Sequence, residues 1–429
     1  MQHLPAPSRR EFVAAAALTP ALWTCSGLSL QDPTPVPANE RITLGVIGAG
    51  GIRGRNLLRG SFLPKEGFQV VAVCDVDAAR RGSAKELVDE RYENEDCSTY
   101  VDYHELLARD DIDAVVIATP DHWHTIQIID ACKAGKDIYC EKPLTLTLTE
   151  GRTVIEAVRK HERVFQTGSQ QRSEYGHKFV TACEHIRAGR IGRILNVNVG
   201  VGDAPKWCDL EAEEMQEGLD WDRWLGPAPM REYNSILSPR GVHNHYPAWR
   251  GYREYAGGYL ADMGAHHFDI VQWALDADQS GPVRVVPPDD PEAMRGAALV
   301  YESGARLTHG GPGGATFIGT SGMIHVDRGR LYSAPEGLLE QEFEEGAERL
   351  PRHADHATNW LECIRDRTRP VCDVEVGARS VAICHLMNIA YWHRRELTWD
   401  PAACRFVDDD EANGWLDYER REGYGLPSF

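Results

Sequence analysis

The feature that most narrows the fold of this chain is an apolar strand that runs into a glycine turn. Arg41 to Val46 is rich in apolar and β-branched residues, Gly48, Gly50 and Gly51 follow, and Arg53 to Arg59 has the composition of a helix. Further buried strands are read at Val70–Cys74, closing on Asp75, at Asp113–Ala118 and at Asp137–Tyr139, with a helix over Thr125–Ala134. Strands alternating with helices make βαβ units, and these build a doubly wound parallel sheet. Such a sheet binds ligands at the carboxyl ends of its strands.

After Gln166 the pattern changes. A helix is expected at Phe179–Ala188, then strands at Arg193–Val201, Pro282–Val286, Ala297–His309, Ala315–Ile318 and Met323–Val326, succeeding one another without regular helices between. That succession predicts a mostly antiparallel sheet. Helices at Ala357–Arg367 and Gly377–Arg395 close the body, and the polar tail from Leu397 is expected to pack back on the first domain. At 429 residues the chain is too long for one ordinary core. The expected division is an export signal and linker over 1–40, a nucleotide-binding domain over 41–166, a substrate and oligomerisation domain over 167–372, and a closing helix and tail over 373–429.

A formal net charge of -19 argues against a nucleic-acid or anionic-membrane surface, which needs clustered Lys and Arg. The acidic runs Glu211–Glu217 and Glu336–Glu348 read as solvated faces. Eleven cysteines are an odd number with no C-x-x-C pair, and most sit in strand or helix patterns, so they read as reduced core residues. Ser8-Arg9-Arg10-Glu11-Phe12-Val13 matches the twin-arginine export pattern, and the apolar stretch Val13–Trp23 is too short for a stable membrane span. Leu22-Trp23-Thr24-Cys25 is a poor lipidation signal, and Pro33–Pro37 reads as a stiff linker. The expectation is an exported, periplasmic protein with no stable membrane insertion once the signal is removed.

The glycine turn suits a pyrophosphate, which a helix N-terminus and close backbone can cradle. Gly48 and Gly50 supply the first two glycines, and Gly51, Ile52 and Arg53 follow them at the helix start. The third glycine slot holds Arg53, with Gly54 one residue later, so either the loop carries an extra residue or Arg53 itself contacts phosphate. Asp75, ending the second strand, suits ribose hydroxyls and would repel a 2′-phosphate; NAD is therefore expected over NADP, with Arg80 and Arg81 keeping NADP open. A helix N-cap is the other reading of Asp75.

Oxidising a secondary alcohol needs a base for the hydroxyl proton and a cation near the oxygen. Lys142 follows the strand Asp137–Tyr139, Pro143 stiffens its turn, and Glu141 is placed to orient or neutralise it. Asp262 and His266 are spaced for one face of a helix, where a carboxylate could set the imidazole tautomer. A satisfied core His–Asp pair is the bland alternative. The histidines His122, His124, His243, His245, His266 and His267 raise a metal site, but no convergence of three or four ligands is legible, and no metal is expected.

These strings, in this order, resemble the Gfo/Idh/MocA family, as do Thr119-Pro120-Asp121-His122-Trp123-His124, Gly168–Arg172, Asp222–Pro227, Gly257-Gly258, Asp373-Val374-Glu375 and Glu411-Ala412-Asn413. The resemblance spans nearly everything from Arg41 onward. It implies an α/β fold: an N-terminal Rossmann domain, then a C-terminal α+β domain with a large open, mostly antiparallel sheet that supports a homodimer or homotetramer. It implies that Lys142 polarises the substrate, that Asp262 and His266 form the family's pair with His266 as acid/base, and that Thr119, Pro120, His122 and Glu141 line the nicotinamide. Gln170, Arg172, Trp249, Arg250, Tyr252 and His267 are the expected sugar contacts.

Export favours a tightly held NAD(H) that is reduced and reoxidised within one cycle, because free cofactor is scarce outside the cytoplasm. The expected activity is oxidation of a secondary hydroxyl of a pyranose or glycoside. The alternative is a redox-neutral, NAD-dependent glycosidase, epimerase or lyase acting through a 3-keto sugar, and a binding protein that keeps the fold is the third.

Overall fold

In the computed structural model, residues 36–429 except 348 are described. The arginine pair of the export motif, Cys25 and the start of the proline linker lie outside them. The chain alternates β1 (Ile42–Ile47), α1 (Ile52–Leu57), β2 (Phe68–Cys74), α2 (Ala78–Tyr92), β3 (Ser98–Tyr100), α3 (Tyr103–Leu107), β4 (Ala114–Ile117), α4 (Asp121–Lys133), β5 (Asp137–Cys140), α5 (Leu148–Lys160) and β6 (Phe165–Thr167). The strands pair in parallel in the order β3-β2-β1-β4-β5-β6. All four residues of β4 and of β5 are buried, as expected of strands covered on both faces. Local chemistry starts the helices: the Asp77 side chain accepts from the Arg80 N–H at the head of α2, and Thr147 and Glu150 form a reciprocal cap on α5.

The second half holds α6 (Lys178–Arg187), β7 (Ile194–Gly200), α7 (Trp221–Leu225), α8 (Gly258–Ala274), β8 (Arg284–Val286), β9 (Ala298–Val300), β10 (Arg306–Gly319), β11 (Met323–Val326), β12 (Leu331–Ala334), α9 (His356–Asp366), α10 (Val374–His393), β13 (Leu397–Asp400), β14 (Arg405–Phe406) and α11 (Asp410–Asn413). The sheet runs β12-β11-β10-β9-β8-β13-β14, with β7 on β10. The register against β7 rises from Arg306 opposite Asn196 to His309 opposite Val199, then falls from Ala315 opposite Val199 to Ile318 opposite Asn196. The chain thus rounds the end of β7 and lines both its edges. The turn is made by Gly310, Gly311 and Gly314 at φ of 148, 89 and 102, which side chains rarely adopt, and a Cβ at Gly200 would meet the Pro312 carbonyl at 2.1 Å. Helices α6, α8 and α10 contribute Phe179, Phe268 and Leu386 to the core over Val197, Phe317 and Ile324 on one face of this sheet.

Three sequence expectations change. The run Ala297–His309 is two strands, because Gly304 at φ 83 closes a turn in which its N–H donates to the Tyr301 carbonyl. Helix α8 also intervenes between the strands of the second domain. The tail does not simply return to the first domain: β13 and β14 extend the second sheet beside β8. Only its end reaches back, where the Leu416 carbonyl accepts from Thr149 N–H and Arg420 pairs with Glu150 at 2.7 Å.

Helix α9, within the 167–372 segment, packs into the core of the first domain. Trp360 is fully buried there, its ring within 6.0 Å of those of Phe62, Phe68 and Tyr139. Ten cysteines of the described residues are free thiols, eight of them buried. Among the described residues no helix is long and apolar enough to cross a membrane. Trp360→Ala is expected to cost about 3–5 kcal/mol in denaturant unfolding; a loss under about 1 kcal/mol would separate α9 from the first domain's core.

Candidate active site

The carboxyl edge of the parallel sheet faces α8 across a cavity of about 700 Å³. At its nucleotide end, Gly48 turns the chain at φ 74, and a Cβ on Gly54 would meet the Gly48 carbonyl at 2.3 Å. Gly54 therefore fills the close-packing role of the third glycine, and the loop carries one extra residue. Gly51 and Ile52 line the cavity. Gly50 does not line it, since its N–H donates to Asp75 Oδ2 at 2.9 Å and its Cα faces Arg80. Asp75 lines the cavity and also accepts from the Asp77 N–H, so Asp77, not Asp75, is the helix cap. Burial raises the Asp75 carboxyl above its ordinary range.

Arg53 does not lie along the phosphate loop. It crosses to Glu141 Oε1 at 2.6 Å, which also accepts from the Gln170 amide at 3.0 Å. Glu141 is thus oriented by Arg53 and Gln170, correcting the expectation that it serves Lys142. Burial opposes the Glu141 charge, but Arg53, with Lys142 and the Gln170 amide, outweighs it and holds the carboxyl below the usual range.

Lys142 instead donates from Nζ to the Asp262 carbonyl and to Asp262 Oδ1, both at 2.8 Å. Arg250 Nε approaches the same carboxylate oxygen at 3.4 Å, and its guanidinium lies over the Trp249 ring at 4.2 Å. Burial opposes the charge on Asp262 and the two cations overcome it, so its carboxyl is lowered. No hydrogen bond joins Asp262 to His266 among the described residues: the two share a face of α8, but the cations hold the carboxylate. His266 lines the cavity with its Nδ1 unpartnered. Burial first, then Lys142 and Arg328, push its pKa well below the ordinary value, so the imidazole is neutral.

Thr119, Pro120, Gln170, Trp249 and Arg250 all line the cavity. Besides Gly50, four of the expected residues do not. His122 is fully buried against the Trp224 carbonyl and the Tyr255 ring, because the first turn of α4 aims it into an aromatic cluster. Arg172 is 1% exposed and doubly bonded to both Asp269 and Asp278, at 2.7–2.9 Å. Tyr252 lies within the aromatic cluster with Lys206 over its ring. His267, one position round the helix from His266, faces Gln171 and Phe179.

The residues missed are as telling. His124 lies between the Pro143 and Thr119 carbonyls with a ring nitrogen 2.9 Å from each, and so bridges the lysine turn and the Thr119 loop. Its place in His122-Trp123-His124 was the only available signal. Asp121 lines the cavity, and burial pushes its carboxyl up to about 8. The segment around Leu237–Pro247 covers the nucleotide end, held by Arg55 to the His243 carbonyl and by Arg80 to the Pro239 and Gly241 carbonyls. The histidines do not converge, and among the described residues no group of three could hold a metal.

Arg172→Met should leave the buried Asp269 carboxylate and the half-buried Asp278 carboxylate without their cation and cost about 3–5 kcal/mol in denaturant unfolding. Wild-type stability with lost substrate binding would return Arg172 to the sugar site.

A family model described as oxidoreductase family, NAD-binding Rossmann fold, matches residues 42–169, and one described as oxidoreductase family, C-terminal alpha/beta domain, matches residues 195–426. Inositol 2-dehydrogenase of Acidothermus cellulolyticus is 30% identical over 210 residues, 48% of this chain and 59% of that protein. Alpha-N-acetylgalactosaminidase of Shewanella oneidensis is 30% identical over 211 residues, 44% of each chain. The chain thus spans about half the length of these curated relatives. The aldose-aldose oxidoreductase structure from Caulobacter crescentus, complexed with glycerol, superposes with a TM-score of 0.56 at 17% identity, covering 83% of this chain and 99% of that one. With both halves matched and the Rossmann edge facing the second sheet's helix, the chain belongs to the Gfo/Idh/MocA oxidoreductase family.

Proposed function

We propose that the protein oxidises a secondary hydroxyl of a pyranose sugar or glycoside, with an NAD that it retains through the cycle. The observation that carries this reading is the convergence of the Lys142–Asp262 pair and the neutral His266 on one cavity. There Arg53 Nε, Glu141 Oε2 and His266 Nδ1 are buried without hydrogen-bond partners. A polyhydroxylated substrate supplies donors and acceptors to a cavity lined by polar side chains of this kind.

The residues fit a dinucleotide. Gly48, Gly51 and Ile52 would hold its pyrophosphate, Asp75 the adenosine ribose, and Thr119, Pro120, Glu141 and Lys142 its nicotinamide end. Asp75 and the engagement of Arg80 by backbone carbonyls support NAD over NADP. The segment tied down by Arg55 and Arg80 supports retention, since it lies over the nucleotide end.

Bound NAD supplies the hydride acceptor. Lys142, fixed by Asp262, presents a cation to the oxygen that gains negative charge. His266, neutral through burial, takes the hydroxyl proton, and His124 keeps the lysine turn against the Thr119 loop. The export motif supports a periplasmic site of action, and a large, mostly antiparallel sheet of this kind suits a homodimer or homotetramer.

A redox-neutral glycosidase, epimerase or lyase is the second reading. Asp121 favours it: a carboxyl that keeps its proton in the cavity can donate to a leaving group, and the Shewanella relative bears a glycosidase name. A nitrophenyl glycoside panel separates the two, since release without net cofactor reduction marks the second.

Protein freed of its signal and denatured should release about one NAD per chain; an empty protein that binds NAD weakly would remove retention. His266→Ala should lower hydride transfer by about 10²–10⁴-fold with NAD still bound. Because the base form of His266 persists below its ordinary pKa, kcat/KM for oxidation should hold on acidification through pH 6.5 and fall only below it. An acid limb at or above pH 6.5, or near-normal turnover in the variant, removes His266 from this role.

A further inference from the structure

Four cations line the substrate end of the cavity, and three have carboxylate partners: Arg53 with Glu141, and Lys142 and Arg250 with Asp262. Arg328 is the fourth. Among the described residues no carboxylate lies within ion-pair distance of it. Its contacts are the Gln171 amide oxygen at 3.3 Å and the Tyr175 ring at 4.8 Å. The adjacent Asp327 does not neutralise it, because that carboxylate is engaged by the Gly329 and Arg330 N–H groups, the Arg330 guanidinium and His325. Those bonds brace the turn between β11 and β12 and so hold Arg328 in place. Tyr175, under the guanidinium, also lines the cavity and is held at φ 61, a backbone conformation aromatic residues rarely adopt.

We propose that Arg328 binds an anionic group on the substrate, a carboxylate or a phosphate, beside His266. The inference rests on the carbohydrate reading above and names the substrate class: sugar acids or sugar phosphates rather than neutral sugars. A guanidinium matches both anions with paired donors, and its bond to them is charge-assisted. The chain's net charge of -19 offers anions no general attraction, so the preference depends on this local cation.

The test is calorimetric titration of the holoenzyme with D-glucuronate, D-galacturonate, D-gluconate and a hexose phosphate, each against D-glucose or D-galactose. At least one anion should bind about tenfold or more tightly than its neutral counterpart. Whether the acids or the phosphate lead identifies the group. Arg328→Gln should abolish the preference and Arg328→Lys should keep part of it, which a purely structural stack on Tyr175 would not do. The proposal is overturned if no anion outbinds its neutral counterpart in the wild type, or if the preference survives in Arg328→Gln. Selective binding of an anion without any cofactor reduction or glycoside release would sink the oxidoreductase reading and leave this one. Turnover confined to neutral sugars would do the reverse.

Discussion

The Lys142–Asp262 pair joins the two halves of the molecule where the chemistry is expected. Lys142 comes from the turn after a parallel strand and Asp262 from a helix that packs on the other sheet, so the bond sets the width of the cavity between them. Two partly buried charges hold such a geometry only when each has the other, because either alone would face a large desolvation cost. The rest follows. Asp262, occupied by Lys142 and approached by Arg250, is withdrawn from His266. His266, left without a carboxylate and near two cations, stays neutral, lines the cavity and keeps its Nδ1 unpartnered.

A second layer of ion pairs makes the cavity walls rigid. Arg172 joins Asp269 of α8 to Asp278 beyond its end, and Ser380 of α10 donates to the same Asp269. Arg53 does the analogous work in the first domain by joining the glycine loop to Glu141. A change at the nucleotide loop is thus felt at the substrate end through one salt bridge and the Gln170 amide that shares its carboxylate. The extra loop residue makes this reach available, since Gly54 performs the packing that would otherwise fall at position 53.

Much of this was legible before any coordinates. The strands at Val70–Cys74 and Asp137–Tyr139 lie within two residues of where periodicity put them, whereas the helix bearing Asp262 and His266 was legible only as the four-residue spacing of that pair. Lys142 was legible because a lysine directly after a parallel strand is placed at the ligand edge by the pleat itself. Asp121 and Arg328 were not legible: each sits at an element's start or in a turn, where no period assigns a direction to the side chain. The reach of the His124 ring nitrogens to two carbonyls on separate loops has no signature in residue order either.

The two arginines Arg172 and Arg328 show where the division falls. From the sequence alone both are long cations near apolar segments, and the string around Arg172 is the more suggestive. In the fold Arg172 meets two carboxylates and is sealed in the core, whereas Arg328 meets an amide and an aromatic ring at the cavity. Residue type states what a side chain can bond; whether a partner arrives depends on contacts between positions distant in the chain. The sequence by itself determined the alternation of strands and helices and the place of Lys142 after a parallel strand, because those follow from local periodicity, while Asp262 and His266 were assigned to the same site by resemblance. Which charges are satisfied and which face the substrate was decided only by tertiary packing, because ion pairing falls off within a few ångströms and packing sets those distances.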